Sequence, residues 1–404
     1  MSFNKKILDI AKQAEDSLKD TFGEIEDTAY HNTEKVVSAF SEFRVSKECL
    51  DGSDGYGYDD RGRETLDRVV ARVFNAESAF IRHNIINGTH ALTIALFGIL
   101  RPGDVMLAVT GKPYDTLDEV IGINGKKGTG SLADFGVEYR EVPLGADFSE
   151  QLKDKRVKMV YIQRSKGYVN RPTLSVEQIN EIVRFSKQRS DAYVVVDNCY
   201  GEFVDRTEPE ADLIIGSLIK NPGGGMAQSG GYIAGKKKAV ELCSYRYTCP
   251  AIGTEAGATL DQNRLLYKGF FYAPHTVAQA LKTAHFAAAV FEKCGFEVSP
   301  RPGERRNDII QTVTLNTPEN LINFCRGIQA GAPVDSYVVP EPCDMPGYSD
   351  KIIMAAGAFV QGASIELSAD GPMREPYTAF MQGGLTYESG KYGILKALEF
   401  LMNK

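Results

Sequence analysis

Two short segments constrain the fold of this chain more than any other feature. One is Val194-Val195-Val196-Asp197-Asn198, and the other is Ile214-Ile215-Gly216-Ser217-Leu218-Ile219-Lys220. Each is an apolar, β-branched run that ends in polar groups. A strand without polar alternation is buried on both faces, as in a parallel sheet covered by helices on each side. In open α/β sheets the carboxyl ends of such strands open into the ligand crevice. An acid, Asp197, and an amine, Lys220, can therefore reach one crevice from neighbouring strands.

The surrounding pattern agrees. Helices are expected at Leu66–Phe74, Thr89–Leu100 and Ser175–Lys187. They alternate with strands at Ala79–Arg82, Val105–Val109, Val157–Gln163, Tyr193–Val196 and Leu213–Ser217. Such alternation implies an α/β fold with a mostly parallel sheet. Upstream, Ile7, Ile10, Ala11 and Ala14 recur at helical spacing, as do Val36, Val37, Phe40 and Phe43. A loop rich in Gly, Asp and Tyr follows, and those residues favour turns. Downstream, helices at Ala278–Lys293, Glu319–Gln329 and Ser389–Asn403 are expected. They mix with strand-like Gly295–Val298, Ile309–Leu315, Ile352–Met354 and Ser364–Leu367. The expected division is a helical arm and loop over 1–61, a large domain over 62–270 and a smaller C-terminal α+β domain over 271–404. A chain of 404 residues can bury cores of that size.

Composition narrows the partners. A net charge of −7 argues against nucleic acid and against an anionic membrane surface. The first residues lack the apolar core of a signal peptide, and no stretch is apolar enough to span a bilayer. The 7 Cys are scattered, with no CxxC pair, which fits reduced thiols in the cytoplasm better than a disulfide frame or a zinc site. The 5 His show no metal-ligand spacing, so no metal is expected. Walker A, GxGxxG and nucleophile-elbow patterns are missing.

What remains is the chemistry of Asp197 and Lys220. Such a pair suits pyridoxal phosphate: the lysine forms a Schiff base and the carboxylate pairs with the pyridinium nitrogen, so that the ring can accept electrons. A buried Asp–Lys ion pair would leave the same pattern. Asn87-Gly88-Thr89-His90 precedes a helix, and free N–H groups at a helix start, with a glycine to admit close approach, suit a phosphate. The Ser217 hydroxyl could join it. Asn221-Pro222-Gly223-Gly224-Gly225 cannot continue a helix, so Lys220 is expected on a loop. Tyr114 follows a strand, where it could stack on a ring or be an ordinary loop tyrosine. Cys199 reads as a buried thiol.

These residues resemble the Cys/Met-metabolism branch of fold-type I pyridoxal-phosphate enzymes, which includes the cystathionine lyases and methionine γ-lyase. Gly216-Ser-Leu-Ile-Lys-Asn-Pro-Gly-Gly-Gly225 and the segment from Asp370 to Tyr387 resemble its aluminium-resistance subgroup. The resemblance implies a carbon–sulfur lyase acting by β- or γ-elimination on a sulfur amino acid such as methionine or cystathionine. It implies that Lys220 is the Schiff-base lysine, that Asp197 pairs with the ring nitrogen and that Tyr114 stacks on the ring. Gly88, Thr89 and Ser217 would bind the phosphate. The branch also draws a Tyr and an Arg from a neighbouring subunit. Tyr58 and Arg61 are the nearest match, one residue longer in spacing, with Tyr56 a second candidate. A homotetramer built from two dimers is the corresponding expectation. The branch's carboxylate-binding Arg-x-Ser is replaced here by Glu366-Leu-Ser368, which leaves Arg374 to hold the substrate carboxylate, or else to form an ion pair with Glu366 or Glu375. Rival readings are an aminotransferase or aldolase with the same cofactor, and a non-catalytic stress-response protein that keeps the fold.

Overall fold

The computed structural model describes residues 3–168, 171–345 and 350–402. Two sheets organise it. The larger has seven strands: β1 (Ser78–Arg82), β2 (Val105–Ala108), β3 (Glu138–Glu141), β4 (Val157–Gln163), β5 (Tyr193–Asp197), β6 (Leu213–Ser217) and β7 (Gly231–Gly235), in the order β1-β7-β6-β5-β4-β2-β3. From β3 to β6 all pairings are parallel, while β7 runs antiparallel to both β6 and β1. The smaller sheet is antiparallel, with β8 (Glu297–Ser299), β9 (Gln311–Thr314), β10 (Ile352–Ala355), β11 (Ser368–Pro372) and β12 (Thr378–Gln382) in the order β10-β11-β12-β9-β8. This is the mostly parallel α/β architecture of the sequence reading, with a smaller antiparallel unit beside it.

The helices are α1 (Lys5–Asp16), α2 (Lys19–Glu42), α3 (Arg61–Val73), α4 (Gly88–Ile99), the short α5 (Asp118–Ile121), α6 (Val176–Lys187), α7 (Lys237–Tyr247), α8 (Asn263–Lys293), α9 (Pro318–Ala330) and α10 (Tyr387–Met402). Their starts follow from side-chain caps. Asp60 accepts from the Arg63 amide, Asn87 from that of His90, and Thr317 from that of Asn320. Ser175 and Gln178 cap each other's backbone at α6. Each such oxygen satisfies an amide that the helix leaves free.

Strand periodicity sorts the large core into two layers. Val160, Ile162, Val194, Val196 and Ile214 face one side, against α3, α6 and the first half of α8. Met159, Tyr161, Val195, Leu213 and Ile215 face the other, against α4 and α7. Helix α8 is apolar nearly all round. Its second half, from Phe286 to Phe291, joins the core of the small sheet with α1, α9 and α10. One helix thus ties the two sheets together. Among the described residues no helix is long and apolar enough to cross a membrane.

Several elements differ from expectation. The helix expected from Ala278 begins at Asn263 and carries Pro274 within it. The N-terminal helices are present as expected, separated near Ser17. The strand expected at Ser364–Leu367 lies instead at Ser368–Pro372, because Ile365 is held in a turn region before the ladder begins. Strands β3 and β7 were not foreseen. β3 is a polar edge strand, and β7 is bounded by glycines that read as loop.

Candidate active site

The carboxyl ends of β4, β5 and β6 meet the start of α4 around a cavity of about 160 Å³. Gly88, Thr89, Tyr114, Asp197, Ser217 and Lys220 all line it, joined by Thr116, Gln163, Cys199 and Tyr200. Six residues scattered over the sequence thus converge because parallel strands deliver their C-terminal residues to one edge.

Asp197 is the last residue of β5 and only 6% exposed. Its Oδ1 accepts the Cys199 amide at 3.1 Å, and its Oδ2 accepts from the Tyr161 hydroxyl at 3.5 Å. Burial raises the Asp197 carboxyl above its ordinary range, while the charge of Lys220 and the Cys199 amide pull it back. Lys220 sits one turn beyond β6, with Nζ 3.9 Å from the centre of the Tyr200 ring. Burial works against its ammonium, but its interactions with Cys199, Tyr200 and Asp197 outweigh that and hold it above the ordinary lysine range. Burial also pushes the Cys199 thiol well up, so the sulfur is protonated at neutral pH and Asp197 is the charge that matters.

The loop that carries Lys220 is pinned. Asn221 Nδ2 donates to the carbonyls of Tyr200 at 3.0 Å and Glu202 at 2.9 Å. At Gly223 a Cβ would lie 1.7 Å from the Leu218 carbonyl oxygen, so the chain folds back here only with glycine.

The opposite end of the cavity is the first turn of α4. Asn87 caps it, and Thr89 Oγ1 lies 2.8 Å from Thr116 Oγ1. A Cβ at Gly88 would approach Cys199 Sγ to 3.3 Å and Ser217 Cβ to 3.5 Å. The space over the helix start exists because residue 88 has no side chain. A phosphate fits there, a ring nitrogen fits at Asp197 and a carbonyl carbon fits at Lys220. The donor set therefore suits the pyridoxal phosphate expected from the sequence.

Three expected residues lie elsewhere. Tyr58 is 59% exposed and stacks on Tyr56 at 5.5 Å, and Arg61 pairs with Glu48 at 2.6 Å on the surface. Neither lines the cavity. Arg374 sits in the turn between β11 and β12, at the edge of a second cleft, and pairs with Asp350 at 3.0 Å. The partner suggested for it, Glu366, is buried and accepts the Phe359 and Val360 amides, both at 2.9 Å. Its carboxylate is spent on backbone, so it neither pairs with Arg374 nor opposes a ligand.

The sequence reading missed a buried network behind the site. Glu202 Oε1 accepts from Tyr232 at 2.9 Å, and its Oε2 has no partner among the described residues. Burial, and then the neighbouring Glu208 charge, push its carboxyl up to about 8. Glu208 itself is held by Asn198, the Phe203 amide and Arg164. Gln163 also escaped notice. Its register partner is Asp197, a neighbour that only the strand pairing reveals.

Comparison with known proteins places the chain in a family and agrees with its fold. A family model described as methionine gamma-lyase matches residues 7–402. The Bacillus subtilis (strain 168) protein YnbB is 48% identical over 98% of this chain and 96% of its own length. A Clostridium novyi NT structure, described as a carbon-sulfur lyase involved in aluminium resistance, is 49% identical. It covers 98% of this chain and 96% of its own, with a TM-score of 0.94. The pyridoxal-5'-phosphate-dependent protein YhfS of Escherichia coli shares the fold at 13% identity, with a TM-score of 0.62 over 93% of this chain and 97% of its own.

Proposed function

The chain belongs to the methionine gamma-lyase family, and on that premise we propose that it is a pyridoxal-phosphate-dependent carbon–sulfur lyase acting on a sulfur amino acid. The observation that carries the reading is the single cavity in which Lys220, Asp197 and the open start of α4 face one another.

When bound, pyridoxal phosphate supplies an electron sink for the charge left as Cα loses its proton. The chain does the rest. The first-turn amides of α4, with Thr89 and Ser217, hold the phosphate. Asp197, fixed by the Cys199 amide and Tyr161, would accept a hydrogen bond from the ring nitrogen and keep that nitrogen protonated. Lys220 would hold the cofactor, and its amine would take the Cα proton as a base. Tyr114, which lines the same cavity, would lie against the ring and would move a proton at the leaving sulfur. The loop from Lys220 to Gly224, pinned by Asn221, holds the base in place.

Tyr58 and Arg61 are exposed on the surface, and we propose that they reach the phosphate of a second copy in a homotetramer of two dimers. The cytoplasm is the compartment that suits seven unpaired cysteines.

A panel of methionine, cystathionine, cysteine and homocysteine tests the reading. Release of a 2-keto acid, ammonia and a sulfur product from a single substrate is expected. Product formation only when a second keto acid is added would make the protein an aminotransferase and overturn the lyase assignment.

A further inference from the structure

Beside the Lys220 cavity lies a larger cleft of about 410 Å³, to which the chemistry above gives no task. Its floor is one face of the small sheet. Val313, Ala379 and Met381 turn the other way, into the core with α9 and α10. The alternating residues Thr312, Thr378 and Phe380 are therefore left facing the cleft. Its roof is the loop after β4, through Lys166 and Tyr168. The same loop closes the Lys220 cavity, since Ser165 and Gly167, on either side of Lys166, line that space. The Tyr168 ring stands 6.2 Å from Tyr114 on one side and 5.0 Å from Phe380 on the other. The two spaces are thus neighbours across one loop.

Lys166 is 3% exposed, yet among the described residues its ammonium has no ion pair and no hydrogen bond. The charges that act on it are Asp308, which favours the ammonium, and Arg306 and Arg171, which oppose it. Asp308 is already engaged, by the Thr173 hydroxyl at 2.7 Å and the Ile310 amide at 3.0 Å. Lys166, Arg306 and Arg171 all draw on Asp308; Glu304 also favours Arg306 and Asp197 also favours Arg171, whereas Asp308 is the one carboxylate that favours Lys166. An ammonium with little access to water and no protein partner is costly, and an incoming anion would offset that cost. At the mouth, Glu297 and Glu375 are exposed and Arg374 is paired with Asp350, so the enclosed end is the cationic one.

We propose that this cleft receives a carboxylate of the amino-acid substrate and that Lys166 is the cation that binds it, with Thr378 as a hydroxyl donor and Arg374 as an outer contact. The inference rests on the lyase reading. The carboxylate is either the one on Cα or one on an arm beyond the sulfur.

Calorimetric binding of two probes to the cofactor-loaded protein separates the two sources. Norleucine has one carboxylate, 2-aminopimelate has two, and neither carries a leaving group. Lys166→Gln is expected to weaken at least one probe tenfold or more, and Lys166→Arg to restore part of the loss. Weakening of both identifies the Cα carboxylate, and weakening of 2-aminopimelate alone identifies the distal arm. Unchanged affinity for both probes in Lys166→Gln, with the visible cofactor band intact, overturns the proposal, as does failure of wild type to bind either probe at millimolar concentration. A wild-type protein with no cofactor band would instead sink the lyase reading, and this inference with it.

Discussion

Gly88→Ala separates the phosphate cradle from the fold. Residue 88 lies outside the left-handed region, so alanine can adopt its backbone without strain. The new methyl would sit 3.3 Å from Cys199 Sγ and 3.5 Å from Ser217 Cβ. The first contact is tight, and the sulfur must shift by a few tenths of an ångström. Against this, alanine is the better helix former by up to about 1 kcal/mol. The cofactor-free protein should therefore change in stability by less than about 1 kcal/mol. The same methyl occupies the space through which an anion must approach the first-turn amides of α4. Loss of one charge-assisted hydrogen bond costs about 1.5–3 kcal/mol, which is a rise in Kd of roughly tenfold to a hundredfold. Thermal unfolding of the cofactor-free protein and absorbance titration with pyridoxal phosphate give the two numbers. Unchanged affinity in a folded variant would refute the cradle. A large loss of stability in the cofactor-free variant would show that glycine serves the fold instead.

Glu202→Gln should flatten the pH dependence of stability. Folded Glu202 keeps its proton up to about pH 8, whereas the unfolded carboxyl loses it near its ordinary 4.5. The native state then binds more protons across that window, and wild-type stability falls as pH rises through it, by up to about 1.4 kcal/mol per pH unit. Denaturant titrations of both proteins at several pH values check this, and parallel curves would refute it. Arg61→Ala should leave the cofactor-free protein as stable as wild type, because exposed ion pairs contribute only about 0–1 kcal/mol. It should weaken cofactor binding by about 1.5–3 kcal/mol if Arg61 reaches a partner's phosphate. An unchanged Kd in a variant that sediments as the intact oligomer would remove Arg61 from the site.

The parts of this molecule that were legible in its sequence are those written in local pattern. The β-branched runs before Asp197 and Lys220 gave two central strands, and their shared edge gave the site, because parallel strands carry their C-terminal residues to one place. The start of α4 was expected at Thr89 and lies at Gly88, with Asn87 as its cap. Where the pattern was weak the reading failed. β7 consists of Gly-Tyr-Ile-Ala-Gly, and its glycines suggest a loop until the neighbouring strands are in view. The antiparallel strand β11 begins at Ser368 rather than Ser364, a shift that local alternation cannot settle because Glu366 looks like a surface residue. It is in fact buried on the Phe359 and Val360 amides. Lys166, Glu202 and Gln163 were invisible for a different reason. Each gains its meaning from residues distant in sequence, and a lone lysine after a strand looks solvated until the small sheet closes over it.

The central claim is that Lys220 carries the cofactor. Borohydride reduction of the purified protein loaded with pyridoxal phosphate, followed by peptide mapping, tests it directly. The account predicts a visible absorption band that disappears on reduction, a single modified peptide bearing the pyridoxyl group on Lys220, and loss of both in Lys220→Ala. A reduced adduct on another lysine, or no adduct from protein saturated with cofactor, would contradict it.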